Sequence, residues 1–441
     1  MDRERAEAHL RMLAETELRN AARHCADRAR VARVAQVLTA VGALDDQVAT
    51  QIANDFELAF GARDPNLRRY LGQRPPAWPP GPARPARPST PGGRVVPLGA
   101  LVPVRAKGVS GEITLLSFAQ PASRGLLTMI VRTCSPGQHD PNTVFSVLDF
   151  GATDDRGNHY GIGLHGSGFS GPGEWILRLH PDPPRDLRWL DLSTTPGEPA
   201  TRVALDGRPP DPPEATVSAA ATGPGEHFLN ALAMRLLAAA GAYPRHMPLN
   251  MAGLTFGLAM DGLGDVVTAL QACEAISPLS PLPAQLAALC AHLDIRNHGI
   301  TTPPADSLPD PWRSVLLQFH RGHQAEPARS AATAVALPEV DGIRLTVLGL
   351  HDTGDRTVLF MHARGPDVDR WDEQDRWPVI WIRDSAGWWH ATRAGGSADE
   401  DREVTMDLPV VPPLSRDADW IEVIAAGRSV EVRATLPVRW Q

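Results

Sequence analysis

Two histidine-bearing stretches carry residue types at spacings that chemistry uses. Gly161-Ile162-Gly163-Leu164-His165-Gly166 is a literal G-x-G-x-x-G, the pattern with which a strand-to-helix turn holds a dinucleotide's pyrophosphate. The glycine- and proline-rich run after it cannot start the required helix, so a glycine-rich hairpin loop is expected. Overlapping it, His165-Gly166-Ser167-Gly168 puts histidine where the nucleophile elbow has its first glycine, and no parallel α/β sheet is expected to present the serine. His165 and Ser167 remain the basis of a hydrolase alternative. His320 and His323, with Glu326, lie at i, i+3, a spacing able to hold a metal. Gly322 at a helix end favours a polar terminus instead, and neither metal nor cofactor is expected.

Acidic residues read the same way. Asp367, Asp369, Asp372, Glu373 and Asp375 break the D-x-D-x-D-G order of a calcium loop and describe a solvated connection. Asp261 and Asp265 fit a capped helix break. The aromatic residues are more informative: nine of the eleven tryptophans fall in two β-rich regions. Alternation along VIWIR sends Ile380 and Ile382 to one face and Trp381 and Arg383 to the other, and Trp388 and Trp389 must also point apart. These side chains pack on helices or form an aromatic patch. On the second reading the partner-binding candidates are Trp371, Trp377, Trp381, Trp388 and Trp389, together with Phe56 and Phe60 of an N-terminal helix.

The elements that position these residues are organised by duplication. Ile113 to Arg132 aligns without a gap to Leu345 to Arg364, sharing Thr114/Thr346, Leu116/Leu348, Arg124/Arg356, Leu127/Leu359, Met129/Met361 and Arg132/Arg364. Each copy reads as two apolar strands around a polar turn. Three more blocks recur in the same order. Asp154, Gly157 and Tyr160 match Asp384, Gly387 and His390 in a D-x-x-G-x-x-(Tyr/His) turn. The Trp175 strand matches Val404 to Leu408, and Trp189 matches Trp420, with Pro183-Pro184 aligned to Pro412-Pro413 ahead of them.

The expected fold class is α+β and multidomain. Residues 1–72 form a helical hairpin, with Gly42 ending its first helix and Val48, Ile52, Phe56 and Phe60 on one face of its second. Residues 73–94 are a Pro/Arg-rich linker. Residues 95–214 and 335–441 are two related antiparallel β-sandwich modules, separated by an all-helical segment, 215–334. Because the linker cannot fix the hairpin against the modules, the hairpin is expected to bind a protein partner or a second copy through residues 1–72.

Composition excludes some classes. With 441 residues and 43% hydrophobic content several cores can form, and a formal charge of -8 provides no global attraction to nucleic acid or anionic lipid. No apolar run of membrane-spanning length occurs. The four cysteines, far apart and in apolar surroundings, fit reduced thiols in a cytoplasm. The blocks RVARVAQVLTAVGAL, PVIWIRDSAGWWHATR and DADWIEVIAAGRSVEVRATLP, with this overall plan, resemble uncharacterised actinobacterial multidomain proteins with tandem immunoglobulin-like β-sandwich modules. That resemblance implies no activity. The expected function is a non-enzymatic cytoplasmic protein-interaction or scaffold protein. The alternatives are an enzyme with its site between a β module and the middle helices, and a small-ligand or carbohydrate sensor.

Overall fold

The computed structural model describes residues 12, 34–35, 37–39, 41–44, 47–48, 51, 94–106, 109–120, 126–133, 151–167, 174–194, 200–206, 213–220, 223–242, 263–294, 299–300, 306–319, 328–365, 368, 377–392, 397–398 and 403–440. In chain order the first β region contains β1 (Arg94–Ala106), β2 (Val109–Gln120), β3 (Leu126–Thr133), β4 (Gly151–Asp154), β5 (His159–Ser167), β6 (Glu174–His180), β7 (Trp189–Ser193) and β8 (Thr201–Ala204). β9 (Glu214–Ala219) leads into helices α1 (Pro224–Ala242), α2 (Leu263–Ala272) and α3 (Leu282–His292), the short pair β10 (Leu293–Asp294) and β11 (Gly299–Ile300), and α4 (Asp310–Phe319). The second β region contains β12 (Arg329–Ala336), β13 (Arg344–Asp352), β14 (Thr357–Arg364), β15 (Val379–Asp384), β16 (Trp389–Thr392), β17 (Ser397–Ala398), β18 (Glu403–Val411), β19 (Trp420–Ala426) and β20 (Val430–Pro437).

Each β region is one continuous antiparallel path, and the two paths have the same order. The first runs β1-β2-β3-β6-β5-β4-β7-β8 and the second β12-β13-β14-β18-β16-β15-β19-β20, to which β9 is added at the end. The duplicated hairpin agrees in register as well. Ile113 opposes Val131 and Leu345 opposes Ala363, and the ladder is interrupted at Leu116 in one copy and at Leu348 in the other. A bulge at the same residue in both copies turns that side chain out of the alternation. Trp189 and Trp420 open equivalent strands, opposite Ala204 and Pro437 respectively.

Three boundaries differ from expectation. β9 lies just after the first module but pairs with β20 of the second, so residues 214–219 are sheet and not the start of a helical segment. β12 begins at Arg329, where its pairing with Asp352 starts, inside the span read as helical. The third difference concerns the N-terminal hairpin. Val34, Ala35, Val37, Leu38, Val41 and Leu44 are buried in one core with Phe228 and Leu232 of α1, Leu270 of α2, Trp312 and Leu316 of α4, and Trp381 and Ile424 of the second module. This part of residues 1–72 therefore belongs to the helical core, because an apolar helix face beside an apolar helical core is buried against it. Gly42 ends the helix as expected, with φ of 72° and the Leu44 N–H donating to the Leu38 carbonyl, an arrangement typical of helix ends. Val48 packs on the same core. Ile52, Phe56, Phe60 and residues 73–93 of the Pro/Arg-rich linker lie outside the described residues, while Arg94 opens β1.

Two further cores fill the modules. One gathers Ile113, Leu115, Phe118, Tyr160, Leu177 and Leu190; the other, Leu345, Val347, Leu350, Ile380, Ile382, Leu408 and Ile421. A small fourth cluster joins the modules: Leu116 from the first with Leu348, Val358 and Phe360 from the second, where β1 and β2 lie against β12 and β13.

Candidate functional site

The repeated D-x-x-G-x-x-(Tyr/His) motif forms a buried carboxylate in each module. Asp154, 1% exposed, accepts the backbone N–H groups of Arg156 (2.9 Å) and Asn158 (2.8 Å) and the Tyr160 hydroxyl (2.7 Å). Asp384, fully buried, accepts from the N–H of Trp388 and, across the sheet, from the N–H of Ser415, both at 3.0 Å. His390 replaces Tyr160: its Nε2 lies 3.3 Å from the Asp384 carboxylate and its Nδ1 2.8 Å from the Pro412 carbonyl. Both ring nitrogens thus face oxygens that only accept. The turn glycines have φ of 80° at Gly157 and 84° at Gly387, where any other residue is strained. Burial alone raises the pKa of these carboxyls, but the bonds they accept outweigh it and hold both at about 2. They are anions that fasten turns.

A second polar constellation lies in the second module. On the face of β14 that also carries Phe360, His362 Nδ1 lies 3.1 Å from the Thr405 hydroxyl. Its Nε2 lies 3.7 Å from one Glu403 oxygen, and Arg364 Nε lies 3.2 Å from the other. Pairing of β14 with β18 puts His362 opposite Thr405 and Arg364 opposite Glu403. Burial, reinforced by the Arg364 charge, lowers the His362 pKa to about 4, so the imidazole is neutral at pH 7. Hydroxyl, imidazole and carboxylate in series are the parts of a nucleophilic triad. Here the hydroxyl is on Nδ1 and the acid on Nε2, the reverse of the serine-protease arrangement. Thr405 is 3% exposed and His362 7%. At 3.7 Å the contact between the neutral His362 imidazole and Glu403 is too long for a hydrogen bond.

The residues singled out from sequence fall elsewhere. Gly161 to Gly166 lies inside β5, with a bulge between Leu164 and Gly166. It is therefore neither a phosphate loop nor the expected hairpin loop, because its backbone groups are used in pairing. His165 and Ser167 are in that strand; His320, His323, Glu326, Asp261 and the acidic run with Trp371 lie outside the described residues. Trp377 and Trp381 are 5% and 6% exposed. Ile380 and Ile382 face the module core as alternation requires. Trp381 turns the other way, into the helices, and Trp389 packs beside it. α4 fastens this contact: Ser314 Oγ accepts the Trp389 N–H at 3.1 Å, and Gln318 donates to the Trp389 carbonyl at 2.7 Å. Trp388 is half-buried.

Sequence reasoning missed His362, Glu403 and Thr405. Only Arg364, as a repeated position, gave any signal. Among the described residues no group of three or more His, Cys, Asp or Glu has metal-binding geometry, and no helix is long and apolar enough to cross a membrane.

No protein-family model matches the chain, and no curated protein matches it. Among solved structures, the conserved domain protein from Bacillus anthracis matches over 75% of this chain and 76% of its own, at 7% identity and a TM-score of 0.17. A likeness that slight carries no argument.

Proposed function

We propose that this chain is a non-enzymatic, cytoplasmic interaction or scaffold protein presenting two related β-sandwich modules. One observation carries this reading: the positions the modules share are used to build the modules. Arg94 donates to the Arg185 carbonyl and Arg329 to that of Arg416 in the equivalent loop. Asp154 and Asp384 fasten turns, and Leu116 and Leu348 join the modules. Among the described residues the modules share a frame and no reactive set, as selection on shape would produce. Affinity purification of the native chain with quantitative identification of what accompanies it is the test. A stoichiometric protein partner retained by a Thr405→Val variant supports the proposal. A purified chain that hydrolyses ester or amide substrates, and loses that activity in the same variant, overturns it.

The second reading, an enzyme, is favoured by the Thr405, His362 and Glu403 series alone. Reaction there requires an opening that uncovers the Thr405 hydroxyl, since a nucleophile must reach its substrate within about 3–3.5 Å.

A further inference from the structure

β9 closes one end of the second module's path with an open edge. Its six residues, EATVSA, are exposed except for Ala215, which is half-buried. Natural sheets blunt such edges with lysine, proline, a bulge or a covering segment. β9 has none of the first three: it carries a single charge, Glu214, at its start, and its pairing with β20 runs without a register shift.

Backbone directions follow from the ladder. The Ala220 N–H donates to the Ser429 carbonyl, so by antiparallel alternation Ser218, Thr216 and Glu214 bond to β20. The N–H and C=O groups of Ala215, Val217 and Ala219 therefore point away from it. Side chains alternate as well. Val217 lies beside Val432, and Ala215 beside Ala434, on the face that covers the second module's core. Yet Val217 is 59% exposed, because among the described residues no strand pairs with the far side of β9.

We infer that the occupant of this edge is β9 of a second copy of this chain, antiparallel and related by a two-fold axis through Val217. The outward-facing set maps onto itself in that register: Val217 opposes Val217 of the partner subunit, and Ala215 opposes Ala219 of the partner subunit. The exposed valines then cover each other. Thr216 comes opposite the partner's Ser218, a hydroxyl pair that stabilises antiparallel sheet. Glu214, the one charge, comes opposite the partner's Ala220, so like charges do not meet. The two second modules become one continuous sheet, an isologous contact that closes after two copies. Two strands of this length bury well under the roughly 1,200 Å² of a standard stable interface, so the dimer is weak and depends on concentration.

Sedimentation of the full chain over a wide concentration range tests this, with Val217→Lys, which sets two ammonium groups face to face on the axis, as the comparison. The mass of the native chain is expected to rise with concentration, and that of Val217→Lys to stay monomeric while its circular dichroism and melting match the native protein. Cross-linking fixes the register. Directly opposed bonded residues have Cα atoms about 5.5 Å apart, inside the disulfide range of roughly 4.4–6.8 Å. Under oxidised glutathione, which takes up the two electrons and two protons of the thiols, Val217→Cys is expected to give a covalent dimer. Ser218→Cys, on the other face and out of register, is expected to remain at the native background. A native chain that is monomeric at every concentration, or equal cross-linking of both variants, overturns the proposal.

Discussion

Leu116 and Leu348 occupy the same bulge in the two copies of one hairpin, and both are fully buried in the small cluster that joins the copies. A bulge residue leaves the regular alternation of its strand, so its side chain is available for a surface that the module's own core does not use. In this protein that surface is the other module. Equivalent positions of the two β regions thus supply both sides of the contact between them.

Asp384 sets an acid limit on stability. Burial opposes its ionisation, but the bonds from His390, Ser415 and Trp388 prevail and take its pKa from 3.8 to about 2. A depressed carboxyl pKa means that the unfolded chain binds the proton more readily. The stabilisation is complete above pH 4 and is lost as pH falls from there to about 2. A shift of this size is worth roughly 2 kcal/mol. Denaturant titrations across this window should show Asp384→Asn less stable at pH 7 and with a flatter acid dependence than the native chain; parallel curves would contradict the assignment.

His362 contributes in a higher window. Its burial, with Arg364 nearby, lowers the imidazole pKa from 6.5 to about 4, so the folded chain holds fewer protons than the unfolded one between those values. Stability is therefore present above pH 6.5 and falls as pH drops towards 4, by about 3 kcal/mol. In His362→Gln this part of the slope should vanish. The measurement is unfolding free energy by urea from pH 7 to pH 4, and an unchanged slope would show that the imidazole is solvated.

The N-terminal segment is expected to behave as core. Leu38 is fully buried among the helices, and truncating such a leucine costs roughly 2–5 kcal/mol. Leu38→Ala should lower the melting temperature of the whole chain, and removal of residues 1–50 should uncover Phe228 and Leu232 and increase binding of a hydrophobic dye. A truncated chain that melts like the native one would return the segment to the role of an independent arm.

Much of the β architecture was legible because the repeat keeps residue types at fixed positions. The Ile113 and Leu345 hairpins, the Asp154 and Asp384 turns, and Trp189 with Trp420 all fall in equivalent places. The proline pairs were aligned two residues out of step. Counting back from the tryptophans puts Pro412 opposite Pro181, and these prolines follow the equivalent strands β6 and β18. β9 was not legible, since the alternation in EATVSA rests on two alanines and one valine, too weak a signal for a strand, and only pairing with β20 makes it one. Docking of Val34 to Leu44 was hidden as well, because an amphipathic face shows that it must be covered but not by what. The His362 cluster depends on β14 lying beside β18, a neighbour relation set by strand order and invisible in local spacing.

The central claim, that two copies of one module are packed into a single body through equivalent residues, is tested most directly by a double-mutant cycle on Leu116 and Leu348. Each change to alanine is expected to cost roughly 2–5 kcal/mol. Because both side chains line one cluster, the double variant should depart from the sum by at least about 0.5 kcal/mol. Unfolding free energies that add, within the few tenths of a kcal/mol typical of distant sites, would mean that the modules do not meet through these residues.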